Sequence, residues 1–358
     1  MALLEVNDLT VEFYTQEGVV TAADNLSYRI ERGEKFGVVG ESGAGKSVTA
    51  LSLMRLIESP GRIASGEILF KGQDILQMSE EQVRSIRGNE IAMVFQDAQT
   101  ALNPVYSVGE QIAEAIRHHL DYDDDEARER TIQLLDQVGI PEAEARYSDY
   151  PHEFSGGMQQ RAVIAMALSC DPDLLICDEP TTALDVTIEA QILDQIQALA
   201  DDFDTAVQLI THDLGVVAEV CDRVMVMYAG KPVEKAPVEE LYYDPKHPYT
   251  VGLMSSIPRV GDTRERLQTI PGTMPDLVEL PPGCSFHPRC PFAEDACTKK
   301  EPPLTDIDSG REATIETERA AACLEYTGDL VGDLDYEVTV QEAETETEPS
   351  YAERDQNV

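Results

Sequence analysis

The chain reads KFGVVGESGAGKS at residues 35–47 of its 358. Its first five residues form an apolar strand pattern, and the run GxxxxGKS that follows opens a helical pattern, KSVTALSLMRLI. Glycines let backbone N–H groups close around phosphate oxygens, and the helix offers its positive N-terminal end. In this context Lys46 would reach the β- and γ-phosphates of a nucleotide and the Ser47 hydroxyl would ligate Mg²⁺. The strand–loop–helix order therefore predicts an α/β nucleotide-binding fold built around a P-loop.

A second polar cluster ends the apolar run LLICDE at residues 174–179. Four consecutive apolar residues predict a strand buried on both faces, and parallel α/β sheets place ligands at the carboxyl ends of such strands. Asp178 suits the outer shell of a metal ion, and Glu179 suits a base that polarises an attacking water. An ordinary strand that ends in an acidic turn is the alternative, but the neighbouring P-loop favours a catalytic pair.

The chain is strongly acidic, with 68 Asp and Glu against 27 Lys and Arg and a formal net charge of −41. Residues 329–358 hold ten acidic residues and one basic residue, so most of the excess lies on the rest of the chain. Dissolved salt screens the repulsion between these like charges, so the composition favours a protein that works in a high-salt cytoplasm. A highly soluble acidic protein in ordinary salt is the alternative. Acidic surfaces discourage contacts to phosphate backbones, so nucleic acid is not an expected partner.

No membrane-spanning or targeting segment is expected. No apolar run approaches the ~18 residues that cross a bilayer. The first ten residues, MALLEVNDLT, lack the basic and long apolar regions of a secretory signal. The protein is therefore expected in the cytosol, where thiols are normally reduced.

The remaining patterns outline the order of elements. Short strand patterns occupy residues 3–39, and helical spacing dominates residues 107–170. The acidic run DYDDDE at residues 121–126 is expected to be a solvated loop between two helices. Pro- and Gly-rich loops from about residue 242 predict a separate C-terminal extension, and the acidic segment from about residue 327 predicts disorder.

The segment FSGGMQQR at residues 154–161 resembles the signature of ATP-binding-cassette (ABC) ATPases. Gln96, after the apolar run IAMVF, resembles that family's Q-loop; TTALD at residues 181–185 resembles its D-loop, and His212 its switch histidine. The motifs stand in the family's order over residues 4–235. The resemblance implies an α/β P-loop NTPase cassette, with a RecA-like core, an antiparallel β subdomain and an α-helical subdomain.

The same resemblance implies a mechanism. Two cassettes of this family enclose two ATP molecules, each bound by the P-loop of one subunit and the signature of the other. The signature would present backbone N–H groups and a hydroxyl at a helix N-terminus to the γ-phosphate. Glu179 would activate water, His212 would contact the γ-phosphate, and Gln96 would ligate Mg²⁺. Phe13 would stack on the adenine, with Tyr14 as the alternative.

The expected site residues therefore form several groups. The catalytic residues are Lys46, Gln96, Glu179 and His212. The residues that would bind the nucleotide are Phe13, Gly40, Ser42, Gly43, Gly45, Lys46, Ser47 and Val48. The residues around Mg²⁺ are Ser47, Gln96 and Asp178. The signature residues that would act in trans are Ser155, Gly156, Gly157 and Gln159, and the D-loop residue is Asp185.

The C-terminal region narrows the resemblance. HPYT at residues 247–250, together with LMSSIP, IPGTMPDL and GCSFHPRCPFAEDAC further on, closely resembles the C-terminal region of dipeptide, oligopeptide and nickel importer ATPases. The likeness covers about residues 245–325. It implies ATP hydrolysis at the cytoplasmic face of the membrane, by a peripheral subunit, coupled to import of dipeptides or oligopeptides.

The implied partners are two membrane-spanning permease subunits, a paralogous ATPase subunit or a second copy of this chain, and an extracellular solute-binding protein. An importer ATPase for nickel or another small solute is one alternative. A soluble regulatory or translation-associated ABC ATPase is an alternative from a different class. The expected domains are a cassette at 1–241 with a helical subdomain at about 97–160, an extension at 242–326 and an acidic tail at 327–358.

Four of the seven cysteines lie in the expected extension. Their spacing lacks the CxxC pairs typical of zinc sites, whereas four thiolates on irregular loops suit a four-iron four-sulfur cluster. Some dipeptide-importer ATPases carry such a cluster in this region, and their ligand positions resemble Cys284, Cys290, Cys297 and Cys323. Zinc and metal-free thiols or disulfides are the alternatives. His287 is expected to be a surface loop residue, with a role as a further ligand as the alternative. The other three cysteines are expected to be small buried hydrophobes: Cys170, Cys177 and Cys221.

Overall fold

The computed structural model describes residues 2–96, 98–181, 186–255, 270–332 and 334, without the side chains of residues 98, 99, 186 and 187. The strands in this part of the chain are β1 (Leu4–Tyr14), β2 (Val19–Ile30), β3 (Lys35–Val39), β4 (Gly61–Phe70), β5 (Gln73–Asp74), β6 (Ile91–Val94), β7 (Leu174–Asp178), β8 (Ala206–Thr211), β9 (Arg223–Tyr228), β10 (Lys231–Pro237), β11 (Thr305–Asp306) and β12 (Ala320–Ala321). The helices are α1 (Lys46–Leu53), α2 (Glu80–Ile86), α3 (Ala98–Ala101), α4 (Val108–His119), α5 (Asp124–Gln137), α6 (Ala143–Arg146), α7 (Gly156–Ala167), α8 (Val186–Phe203), α9 (Leu214–Val220), α10 (Val238–Tyr243) and α11 (Pro248–Ser255).

These strands form two sheets. The antiparallel sheet has the order β2-β1-β4-β5, and the larger sheet has the order β11-β12-β10-β9-β3-β8-β7-β6. Strands β9, β3, β8, β7 and β6 of the larger sheet are parallel to one another. None of the described helices combines the length and apolar character that a bilayer crossing requires.

The position of strand β7 in the sheet explains why its sequence is almost continuously apolar. All five of its residues are buried, because the sheet is covered on both faces. Leu174 and Ile176 pack in the core shared with the antiparallel sheet, whereas Leu175 and Cys177 pack on the opposite face with the helices. This alternation follows from the two-residue period of a strand. The prediction of buried thiols is confirmed for Cys177, Cys170 and Cys221.

Helices α3 to α7 lie between β6 and β7 in the chain. Helix α7 packs against β6, and α3, α4 and α5 pack against α7. The prediction of a loop over residues 121–126 is wrong in its second half, because α5 begins at Asp124. The Asp123 carboxylate caps this helix by accepting hydrogen bonds from the N–H groups of Asp125 and Glu126. Carboxylates in a first helical turn are stabilised by the positive end of the helix dipole, so an acidic run can start a helix.

The C-terminal extension is joined to the larger sheet. Strand β12 pairs with β10, and β11 pairs with β12. Most of the expected acidic tail lies outside the described residues. Its described beginning is fastened to the extension, because Glu294 accepts hydrogen bonds from the backbone N–H groups of Val331 at 3.0 Å and Gly332 at 2.9 Å.

The register of the parallel strands places several loops at one edge of the sheet. Val39 pairs with Thr211, Asp178 with Ile210, and Cys177 with Val94, so β3, β8, β7 and β6 reach this edge together. The residues that follow these strands are therefore neighbours in space although they are far apart in sequence. This edge carries the candidate site.

Candidate functional site

The P-loop connects the end of β3 to α1 through a backbone path that glycine alone fits. Gly45 has φ 98°, and a Cβ there would lie 2.0 Å from the carbonyl oxygen of Ala22. A Cβ at Gly40 would lie 2.3 Å from the carbonyl oxygen of Met227. Larger residues at either position would push the loop away from the sheet. The first turn of α1 has no side-chain cap, so its N–H groups suit an anion.

Lys46 is the central cation of this loop and is only 5% exposed. Its Nζ donates to the carbonyl oxygens of Gly40 at 2.8 Å and Glu41 at 3.1 Å, so the loop curls around the ammonium group. Burial lowers the pKa of Lys46, while the carboxylates of Glu179 and Asp178 oppose that change. The loop thus holds a donor that is largely withdrawn from water, where attraction to a phosphate is strong.

Ser47 and Asp178, two of the residues expected around Mg²⁺, contact each other. The Ser47 hydroxyl donates to Asp178 Oδ1 at 2.9 Å. Burial raises the pKa of Asp178, and this hydrogen bond opposes the rise. The hydroxyl, this carboxylate and the Gln96 amide oxygen are all oxygen ligands, which Mg²⁺ prefers, so the residues fit a magnesium–nucleotide complex.

Glu179 is the point on which the expected catalytic side chains converge. The Gln96 amide donates to its Oε2 at 3.1 Å, and His212 Nδ1 lies 3.5 Å from the same oxygen. Lys46 Nζ lies 3.9 Å from its Oε1. Glu179 has φ 47°, in the left-handed region, and its N–H donates to the carbonyl oxygen of Ile210. This backbone turn directs the carboxylate out of the sheet edge, beside the P-loop lysine.

The signature begins helix α7. Ser155 is its N-cap and accepts a hydrogen bond from the N–H of Met158 at 3.3 Å. The Gln159 amide donates to the carbonyl oxygens of Pro151 at 2.7 Å and Phe154 at 3.3 Å, which holds the loop before the helix. Ser155 and Gly156 are exposed. Among the described residues no hydrogen bond or ion pair joins this helix start to the P-loop.

The other predicted nucleotide contacts differ in exposure. Ser42 and Gly43 are exposed at the loop, and Val48 is half-buried in α1. Phe13 is half-buried and packs against the core beneath the antiparallel sheet. Tyr14 is 43% exposed, with the guanidinium of Arg62 stacked 4.4 Å from its ring centroid. Gly157 of the signature is half-buried in the first turn of α7. The D-loop residue Asp185 lies outside the described residues.

The four cysteines of the extension line one small cavity, which His247 and His287 also line. Burial raises the pKa of Cys290 to about 11 and that of Cys323 to about 12. His287 Nδ1 lies 2.9 Å from the carbonyl oxygen of Cys284. In the described part of the chain, no three His, Cys, Asp or Glu side chains converge closely enough to hold a single metal ion.

Two residues of the extension reach the P-loop, and the sequence patterns did not indicate either contact. Arg289 binds the Glu41 carboxylate through two nitrogens, at 2.7 and 2.9 Å. The Tyr249 hydroxyl accepts a hydrogen bond from the Glu41 N–H at 2.9 Å. More than 200 residues separate these partners. No local pattern can report a contact between such distant positions.

Solved structures share this architecture. The ATP-binding cassette MJ0796, in a dimeric post-hydrolysis state bound to ADP and phosphate, has a TM-score of 0.60 at 24% identity, over 66% of this chain and 98% of that one. The cassette cbiO1 from Clostridium perfringens has a TM-score of 0.58 at 27% identity, over 68% of this chain and 91% of that one. The fold and the site therefore define an ABC ATPase cassette, and the predicted fold class is confirmed.

Sequence comparisons identify the branch. The family described as "ABC transporter" matches residues 23–182, and "Oligopeptide/dipeptide transporter, C-terminal region" matches residues 233–297. A "Probable peptide ABC transporter ATP-binding protein" of Sinorhizobium fredii is 53% identical over 87% of this chain and 93% of its own length. The "Oligopeptide transport ATP-binding protein" OppD of Salmonella typhimurium is 50% identical over 86% of this chain and 92% of its own length. The chain belongs to the family of peptide ABC transporter ATP-binding proteins.

Proposed function

We propose that this protein hydrolyses ATP at the cytoplasmic face of the membrane and thereby powers the import of oligopeptides, as a peripheral subunit of an ABC transporter. The observation that carries the proposal is the convergence of Gln96, His212 and Lys46 on Glu179 beside the P-loop. Its membership of the peptide-transporter family supports the choice of substrate.

The chemistry of hydrolysis falls to the chain's own groups in this arrangement. Lys46 neutralises phosphate charge within a loop that holds it away from water. Glu179 accepts a proton from the attacking water, and the Gln96 amide donates a hydrogen bond to its carboxylate. His212, which lies beside the same carboxylate, contacts the γ-phosphate. Ser47, Asp178 and Gln96 would hold Mg²⁺, which, when bound, supplies electrostatic stabilisation of the phosphates.

The proposed assembly contains two permease subunits, an extracellular binding protein and a second cassette, which is a paralogue or a copy of this chain. The exposed Ser155 and Gly156 at the start of α7 support a site completed in trans, because they are presented outward at a helix N-terminus. MJ0796, a cassette of the same fold, is dimeric.

Reconstitution tests the transport function. Vesicles are prepared with the permeases, this protein and the second cassette, so that the lumen corresponds to the cytoplasm. They should accumulate oligopeptide only when ATP is in the lumen and the binding protein is outside. Peptide and binding protein should also raise the rate of phosphate release. Accumulation of nickel without peptide would overturn the substrate assignment. Phosphate release that ignores permeases and binding protein altogether would favour a soluble ABC ATPase.

We also propose that the four extension cysteines hold a four-iron four-sulfur cluster. All four cysteines line one small cavity, and thiolates are the ligands that such clusters use. Their spacing lacks the CxxC pairs typical of zinc sites, which favours the cluster over zinc.

Anaerobic purification tests this cofactor. The protein should be brown and contain about four iron atoms per chain, as a cubane requires. Cys297→Ala should lose most of the iron, whereas Cys170→Ala, which removes a buried thiol outside the cavity, should keep it. Colourless protein free of iron would overturn the cluster, and one zinc per chain would establish the alternative.

The domain boundaries and the high-salt cytoplasm also remain predictions from the sequence. We place the cassette at 1–241, the extension at 242–326 and the tail at 327–358. The net charge of −41 is the support for a high-salt cytoplasm.

A further inference from the structure

Arg289 of the extension binds the side chain of Glu41 in the P-loop. Arg289 Nη1 donates to Glu41 Oε2 at 2.7 Å and Nη2 donates to Oε1 at 2.9 Å, a bidentate pair. The backbone of Glu41 is held as well, since its N–H donates to the Tyr249 hydroxyl at 2.9 Å. Both the side chain and the main chain of Glu41 are therefore fixed by residues outside the cassette's own motifs.

Arg289 is built into this position. It is 7% exposed, its Nε donates to the carbonyl oxygen of Pro271 at 2.9 Å, and Nη1 lies 3.4 Å from the Tyr228 hydroxyl. Its guanidinium carbon lies 5.7 Å from the centroid of the Tyr228 ring. Because the planar guanidinium is fixed on three sides, its fork is pre-organised for one carboxylate.

The partner of Arg289 is adjacent to the phosphate-binding machinery. Glu41 follows Gly40 in the P-loop, and its carbonyl oxygen accepts a hydrogen bond from Lys46 Nζ at 3.1 Å. A free carboxylate at this position would repel the phosphates that the loop is built to receive, and would compete with them for Lys46. The arginine neutralises this carboxylate and holds it in the direction of the extension.

We propose that Arg289 is a positioning residue for ATP binding, which acts by neutralising and holding Glu41. Arg289 lies next to Cys290, one of the cysteines that line the cavity of the extension, so the same contact links that cavity to the nucleotide site. This inference rests on the proposed ATP-binding function and adds a determinant of affinity that lies outside the cassette motifs.

Titration calorimetry of the full-length protein with MgATP tests the role of Arg289. Arg289→Gln should weaken binding about tenfold, since it leaves a carboxylate unpaired beside the phosphates. The double variant Glu41→Gln/Arg289→Gln should recover to within about threefold of wild type, because the repelling charge is gone. Rescue by removal of the partner is a result that a merely structural arginine would not give.

Two further variants keep the test decisive. Glu41→Gln alone retains an amide oxygen for Arg289, so it should bind MgATP within about threefold of wild type even if Arg289→Gln fails to fold. Arg319→Gln is the matched control, because Arg319 pairs with Asp244 and Glu240 inside the C-terminal part and should leave the affinity unchanged.

The outcomes distinguish a failure of the role proposed for Arg289 from a failure of the proposed ATP-binding function. Unchanged affinity in Arg289→Gln would overturn the positioning role, as would a double variant no better than the single one or a tenfold loss in Glu41→Gln alone. Failure of the wild-type protein to bind MgATP would overturn the proposed function itself, and would be seen before any variant is measured.

Discussion

A Glu179→Gln variant should bind MgATP with wild-type affinity and release phosphate at least about 100-fold more slowly, the usual scale for loss of a general base. Glutamine has the same shape and can still accept from Gln96, which donates to Oε2 at 3.1 Å. It cannot take a proton from water, so the loss falls on turnover. Equilibrium binding and single-turnover phosphate release measure the two quantities separately.

The matched control is Glu90→Gln. Glu90 precedes β6, so it lies at the amino ends of the parallel strands, far from the loops that follow their carboxyl ends. Its Oε2 pairs with Lys71 Nζ at 2.5 Å. This variant should release phosphate at the wild-type rate. Phosphate release by Glu179→Gln within about threefold of wild type would refute the role given to Glu179.

A Lys46→Met variant should lose ATP affinity by about 100-fold or more, because it removes a buried cation that faces the phosphates. Methionine fills a similar volume, so the neighbouring core should tolerate it. The carbonyl oxygens of Gly40 and Glu41 lose the donor that they share. The loop also loses the positive charge that offsets the negative charge of the nucleotide. Calorimetric titration with MgATP measures the loss, and thermal unfolding shows that the variant is folded.

Lys35→Met provides the comparison for this variant. Lys35 begins β3, the strand that leads into the P-loop, and its Nζ pairs with Asp201 at 2.5 Å. Removal of that ion pair should leave MgATP affinity unchanged, since the pair lies at the other end of the strand. If Lys46→Met bound MgATP as tightly as Lys35→Met does, Lys46 would not be the phosphate ligand.

Much of the candidate site was predictable because its motifs are local. The P-loop needs a strand, glycines, a lysine and a helix in consecutive residues, and residues 35–53 contain them in that order. Glu179 was predictable from the apolar strand before it, since ligands of parallel sheets lie beyond the carboxyl ends of strands. The resemblance to ABC ATPases added Gln96 and His212, and the structure brings both next to Glu179.

Local sequence patterns failed as predictors where the same composition suits a loop as well as a helix, or where a strand is very short. The acidic run at residues 121–126 has the composition of a solvated loop, yet it starts helix α5 because Asp123 caps free N–H groups. Strands β11 and β12 have two residues each, which is too short for an alternating pattern to be visible. Only their pairing with β10 shows that the extension continues the larger sheet.

Sequence alone established the α/β class, the P-loop, the acidic strand end and the branch to which the C-terminal region belongs. Each of these depends on consecutive residues or on motif order, which a chain displays without folding. The bond between Arg289 and Glu41 has no such signal. It exists because the extension packs against the sheet edge and brings a buried guanidinium to the phosphate loop. Contacts of this kind depend on the packing of distant segments, and therefore only the folded chain reveals them.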